Sequence, residues 1–313
     1  MRQFILIYIL FSAFIGTVRA QYSNLKDANL KGNVRSVKLV HMKPETDGDS
    51  IWAEIAPDND PFWFNGYVDT YYVFDREGRT SEYHTYFTED ADDNKTVNIY
   101  DKEGLLKEQR FFSDGRKMGS MQYAYDSERR IIKVLRFDEN GEETDCVYHI
   151  RHNFERLPVN KGHNNFWVYK YDNDGRCIEE KCLFPDGRVN YRHIFFYDEK
   201  GRQERVITFD KDNMQNVSTS YQYDSKGRLS SAIRISPVKK SVTRYKYDMQ
   251  DNVIYTRSRD VDIPSQRETE KKKDVCSESS FFYDYDDNGN WTELIFLKDG
   301  TPEYIQQREI KYF

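Results

Sequence analysis

Cysteine is scarce in this 313-residue chain, with four residues, Cys146, Cys177, Cys182 and Cys276, and no Cys-x-x-Cys pair among them. That spacing argues against a structural zinc site, which usually draws its ligands from such pairs. A Gly-x-Ser-x-Gly elbow is also missing, and no Cys–His signature marks a nucleophile. Glycine-rich phosphate loops are absent. Lys and Arg number 47 against 53 Asp and Glu, a formal net charge of −6. Nucleic-acid readers carry the opposite, basic balance. Apart from Phe4–Val18, which is short for a membrane span, no long apolar run occurs. The expectation is a non-enzymatic protein with no catalytic or metal-ligating residues, no cofactor and no nucleic-acid partner.

What the chain has in abundance is aromatic side chains, 15 % of residues and chiefly Tyr and Phe, which favour strands over helices. Many of them belong to one recurring stretch, seen most fully in Tyr169-Lys170-Tyr171-Asp172-Asn173-Asp174-Gly175-Arg176. Its two tyrosines alternate with a lysine and so point to one face of a strand. Asp172 suits the first turn position, where its carboxylate accepts backbone N–H groups. Gly175 falls where a three-residue hairpin loop needs a left-handed residue, and Arg176 starts the return strand. Related copies place Asp75 with Gly78, Asp101 with Gly104, Asp198 with Gly201, Asp224 with Gly227 and Asp286 with Gly289. Two copies lack the glycine, with Arg129 and Asp251 in its place; the arginine predicts a different turn there.

Asp75, Asp101 and Asp126 are 26 and 25 residues apart, and Asp172, Asp198 and Asp224 are 26 apart. Second turn signals, such as Asp114-Gly115, Asp186-Gly187 and Asp299-Gly300, lie about midway. Consecutive turns therefore occupy opposite sheet edges, joined by about 16 strands of roughly 8 residues, or on the order of 26 Å. The fold class expected is all-β: an antiparallel meander of repeated β-hairpins forming a long, curled, solenoid- or shell-like sheet.

The motif Tyr-Asp-x-x-Gly-Arg, recurring in register from about residue 66 to 313, resembles the YD repeats, or RHS repeats, of exported bacterial proteins. That resemblance implies hairpins wound into a large curled sheet, which in some members closes into a shell around a toxin.

Read in order, residues 1–20 are expected to be a signal peptide, with Arg2, the apolar run and Val18-Arg19-Ala20 as cleavage site. Export to the periplasm, cell surface or medium follows. Once the signal peptide is cleaved, no integral membrane segment is expected. Residues 21–65 read as a polar start, a strand at Val34–Val40, and an irregular aromatic loop from 43 to 65. The hairpin domain of 66–313 carries two inserted loops, about 153–166 and 257–280. The cysteines have no pairing that sequence can choose, and free thiols stand equal to bridges. Cys177 and Cys182, five apart, are expected on opposite faces of one strand. His149 and His152 read as surface or packing histidines rather than metal ligands, and Asp284–Gly289 as a hairpin turn rather than a calcium loop. Candidate ligand-binding residues are Trp52, Trp63, Tyr169, Tyr171, Tyr221 and Tyr223, engaging a glycan or an envelope or secreted protein; for Trp52 and Trp63 a plug over the sheet is the competing role. A structural module related to toxin-delivery shells is the alternative function, and a hydrolase with an unmarked carboxylate pair the third.

Overall fold

The structure, a computed structural model, describes residues 24–48, 50–54, 69–86, 94–150, 166–184, 186–263 and 274–313, without the side chains of 145–150 and 166. The expected signal peptide, Trp63, nearly all of the 153–166 loop and the middle of the 257–280 loop lie outside these residues. Twenty strands and no helix occur among the described residues, so none of these offers a long apolar membrane helix. The first seven are β1 (Val34–Asp47), β2 (Ser50–Glu54), β3 (Asp69–Phe74), β4 (Thr80–Tyr86), β5 (Asn94–Tyr100), β6 (Leu106–Ser113) and β7 (Arg116–Tyr125). Then come β8 (Ile131–Phe137), β9 (Glu143–Ile150), β10 (Phe166–Tyr171), β11 (Cys177–Leu183), β12 (Val189–Tyr197) and β13 (Gln203–Phe209). The last are β14 (Gln215–Tyr223), β15 (Leu229–Ile235), β16 (Lys239–Tyr247), β17 (Val253–Asp262), β18 (Asp274–Tyr285), β19 (Trp291–Lys298) and β20 (Thr301–Tyr312).

Two compact units divide the chain: Met1–Ser120, Glu139–Gly141 and Ser279–Phe313 make the first, Met121–Asp138 and Glu142–Glu278 the second. In the first, β3 to β6 form an antiparallel meander, as do β18 to β20. Strand β1 lies between them, antiparallel to β20 from Val34↔Tyr312 to Met42↔Ile305 and to β3 from Ser36↔Val73 to Leu39↔Thr70. In the second unit, β10 to β17 pair successively and antiparallel. One departure from the expected meander is β9 against β10, which is parallel at Trp167↔His149 and Val168↔Ile150. A parallel pair needs a crossover of about a dozen residues, and the segment 151–165 has that length.

Three further expectations change. The breaker-rich stretch after residue 43 forms a hairpin, Lys43–Asp47 pairing with Ser50–Glu54 around Gly48. Pro44 is tolerated because a two-stranded ribbon has edges that need no donor. Strands β17 and β18 also take both flanks of the 257–280 loop. Twenty strands thus lie among the described residues, against the roughly 16 expected.

The turn chemistry matches the sequence reading. Gly175 N–H donates to the Asp172 carbonyl at 3.1 Å, and Asp172 N–H to the Arg176 carbonyl at 2.9 Å. Gly175 has a φ of 75°. Arg129 and Asp251 adopt the same left-handed conformation, at 63° and 66°, so the Arg129 turn does not differ. The closing hydrogen bonds outweigh the Cβ penalty there. A Cβ on Gly175 would meet nothing within 4 Å. Gly175→Ala should therefore cost about 1 kcal/mol from backbone strain alone, and Arg129→Gly should recover part of that amount. Urea midpoints of the two variants, moving in opposite directions, would check this.

Each of these hairpins also carries a β-bulge beside the loop, its extra residue on the return strand facing the step Val73–Phe74, Ile99–Tyr100, Lys170–Tyr171, Phe196–Tyr197, Gln222–Tyr223, Lys246–Tyr247 or Asp284–Tyr285. The extra residue on the return strand increases local twist.

The apolar core of the first unit has two clusters. Ala28, Leu30, Val34, Val37, Tyr72 and Phe74 form one; Leu39, Trp291 and Leu294 form the other, beneath Phe281, Tyr283, Tyr285 and Tyr304. The polar-looking segment before β1 thus contributes two buried residues. It is tied down by Leu25 N–H to the Gly78 carbonyl and by Asn290, which bonds both the N–H and the carbonyl of Lys31.

Candidate functional site

The motif residues form an interlock between successive hairpins. In the copies at Asp75, Asp126, Asp172, Asp198 and Asp224, arginine Nε donates to the aspartate Oδ2 four residues back, at 2.7 or 2.8 Å. The other oxygen of Asp198 accepts the backbone N–H of Lys200 and Arg202. The guanidinium then covers a tyrosine of the next hairpin: Arg79 over Tyr100, Arg176 over Tyr197, Arg202 over Tyr223 and Arg228 over Tyr247, with centroids 4.3 to 5.3 Å away. Those hydroxyls donate back to the carbonyls of Thr80, Cys177, Gln203 and Leu229. Arginine is missing after Asp286; Tyr312 of the last strand donates to Asp286 Oδ2 instead.

Arg202 is thus held by a carboxylate and an aromatic face, whereas the exposed Arg188–Asp186 pair at the opposite edge is solvated. Arg202→Ala should cost about 2 kcal/mol. Arg188→Ala should cost well under about 1 kcal/mol. Chemical denaturation of both variants checks the contrast.

The sequence-predicted ligand residues separate. Trp52 stands on β2, opposite Glu45 and 48 % exposed, so it plugs nothing among the described residues. Tyr221 is only 5 % exposed, and Tyr223 is the interlock tyrosine below Arg202. Both nevertheless line a polar groove of about 380 Å³ in the second unit with Asp198, Arg202, Glu204, Gln222 and Ser230. Tyr169 and Tyr171 lie elsewhere in that unit, on the aromatic face of β10, with Arg130 over the Tyr171 ring.

That face holds residues the sequence reading missed. One cross-strand row runs Tyr169, Glu180, His193 and Thr208; the next runs Trp167, Cys182 and Tyr191. Trp167 meets Tyr191 edge-on at 5.5 Å, and Tyr191 meets His193 at 5.3 Å. The bulge at β11 brings Cys177 back to this face, beside Tyr171, so Cys177 and Cys182 are not on opposite sides as expected. Both are buried free thiols, and Cys276 is an exposed one. Burial pushes the Cys177 thiol up to about 12, raises Cys182 as well, and lowers the His193 imidazole. Neither thiol is the activated thiolate that nucleophilic catalysis requires. Burial also pushes the Glu180 carboxyl up to about 7.

Fold and site together define a β-hairpin-repeat protein. No family model matches the sequence, and no curated protein matches it. Solved structures similar to the chain include the TcdB2-TccC3-Cdc42 complex, at 15 % identity and a TM-score of 0.33 over 76 % of this chain and 12 % of that one. The Photorhabdus luminescens Tc holotoxin pore gives the same identity and TM-score over 11 % of its chain. A porin-like protein from Bacteroides uniformis is 9 % identical, with a TM-score of 0.38 over 90 % of this chain and 99 % of its own. The chain thus spans about an eighth of the toxin-complex chain, and likenesses this loose leave its function to be argued from its own residues.

Proposed function

We propose that this is an exported, non-enzymatic hairpin-repeat protein that binds a glycan in the groove of its second unit. The observation carrying this reading is the groove itself, where Tyr221 and Tyr223 lie among Glu204, Gln222, Arg202 and Ser230. The two tyrosines form its floor, and the polar side chains around them offer the donors and acceptors that bond sugar hydroxyls. Export rests on the N-terminal apolar run. The test is an array of bacterial, host and dietary glycans probed with the folded protein. Selective binding is expected, falling at least tenfold in Glu204→Ala and Gln222→Ala; silence across the array sinks the reading.

A second reading, a structural module related to the RHS-type shells, is favoured by the interlock. Asp, Arg and Tyr of each repeat are spent on holding the next, as a scaffold requires. It predicts folded protein that ignores every glycan.

A further inference from the structure

Glu179 and Glu180 are adjacent on β11 and have opposite surroundings. Glu179 is within 3.3 Å of Lys181 Nζ and 3.5 Å of Arg192, on the charged face. Glu180 is half-buried on the aromatic face, with no hydrogen bond or ion pair among the described residues. Around it are Trp167, Tyr169 and Tyr171 from β10, Cys177 and Cys182 from its own strand, and Tyr191 and His193 from β12. Of these, only His193 can become a cation, and burial disfavours its charged form; next to them, Arg130 lies over the Tyr171 ring, paired with Asp126, and His149 of β9 is in register with Trp167.

A lone carboxylate walled by aromatic rings is complementary to an organic cation. The rings attract an alkylammonium group through their faces, and the carboxylate neutralises it. A hydrated inorganic ion fits poorly, because no group of three metal-ligating side chains occurs among the described residues. We infer that Glu180, with Trp167, Tyr169 and Tyr191, forms a binding site for an organic ammonium group. This site is separate from the groove proposed for a glycan, and the two stand or fall independently.

The carboxyl is largely protonated below about pH 7, so binding a cation there must expel a proton. The test uses n-butylammonium, with n-butanol as its neutral isostere, in calorimetric titrations of the intact protein. At pH 6.5, in two buffers of different ionisation enthalpy, binding should release a sizeable fraction of a proton. At pH 8, Glu180→Gln should weaken n-butylammonium at least tenfold, while Glu179→Gln should leave it unchanged. Equal binding of n-butanol, no binding of n-butylammonium to the folded protein, or binding without proton release would each overturn the inference. Proton release is read on the unmodified protein, so the test survives a Glu180 variant that does not fold.

Discussion

Phe74→Ala is expected to destabilise the protein by about 3–5 kcal/mol, the largest effect of any single truncation considered. Phe74 is 2 % exposed and packs in the first-unit cluster, its ring stacked at 6.3 Å from Tyr72. The cluster joins two pieces of chain distant in sequence: residues 28–37, which run into β1, and β3 with Tyr72 and Phe74. Its lining leaves a void of only about 10 Å³, so the neighbours have little slack with which to refill the lost ring volume. The loss is comparable to the whole stability of many domains, and partial unfolding of the first unit at 25 °C is a realistic result. Phe196 is 37 % exposed on the second unit, under Arg205. Its truncation should cost about 1 kcal/mol or less. Urea denaturation of both variants decides the matter: a Phe74→Ala loss below about 1 kcal/mol would show that the cluster is not a core.

The second large effect concerns pH. The carboxyl of Glu180 titrates at about 7 in the folded protein and near 4.5 when exposed. Between those values the folded state holds a proton that the unfolded state has released, so this group makes stability fall as pH rises. The full loss reaches about 3 kcal/mol above pH 7. Glu180→Gln should abolish that slope and stabilise the protein at pH 8. The gain should be below about 3 kcal/mol, because a half-buried amide without partners carries its own cost. The motif aspartates act with the opposite sign. For Asp172 and Asp198 burial works upward, yet hydrogen bonds from arginine and the backbone outweigh it and lower both carboxyls. Their stabilisation is present above the ordinary carboxylate range and fades as pH falls through their lowered values. Wild-type stability measured from pH 3 to 9 should therefore peak on the acidic side of neutral; the Glu180→Gln curve should lose the decline toward pH 8 and keep only the rise that the lowered His193 imidazole gives up to its ordinary range near 6.5.

The hairpins were legible because their physics is local. Aspartate oxygens reach N–H groups two and four residues on, and glycine tolerates a left-handed backbone, so Asp172 to Arg176 specifies its own turn. The same locality made Arg129 misleading: the residue type disfavours the conformation, but the surrounding hydrogen bonds impose it. The arginine's second role, over the tyrosine of the next repeat, needed pairing between strands and was invisible along the chain.

The sequence by itself determined the all-β class, the position of each Tyr-Asp turn and the repeat length, since alternation and turn chemistry act over a few residues. Tertiary structure alone decided the place of β1 between β20 and β3, the parallel join of β9 to β10, and the setting of Glu180 among aromatic rings. Each of these depends on which strand lies alongside, and partners far apart in sequence are chosen by the burial they achieve together rather than by any local pattern.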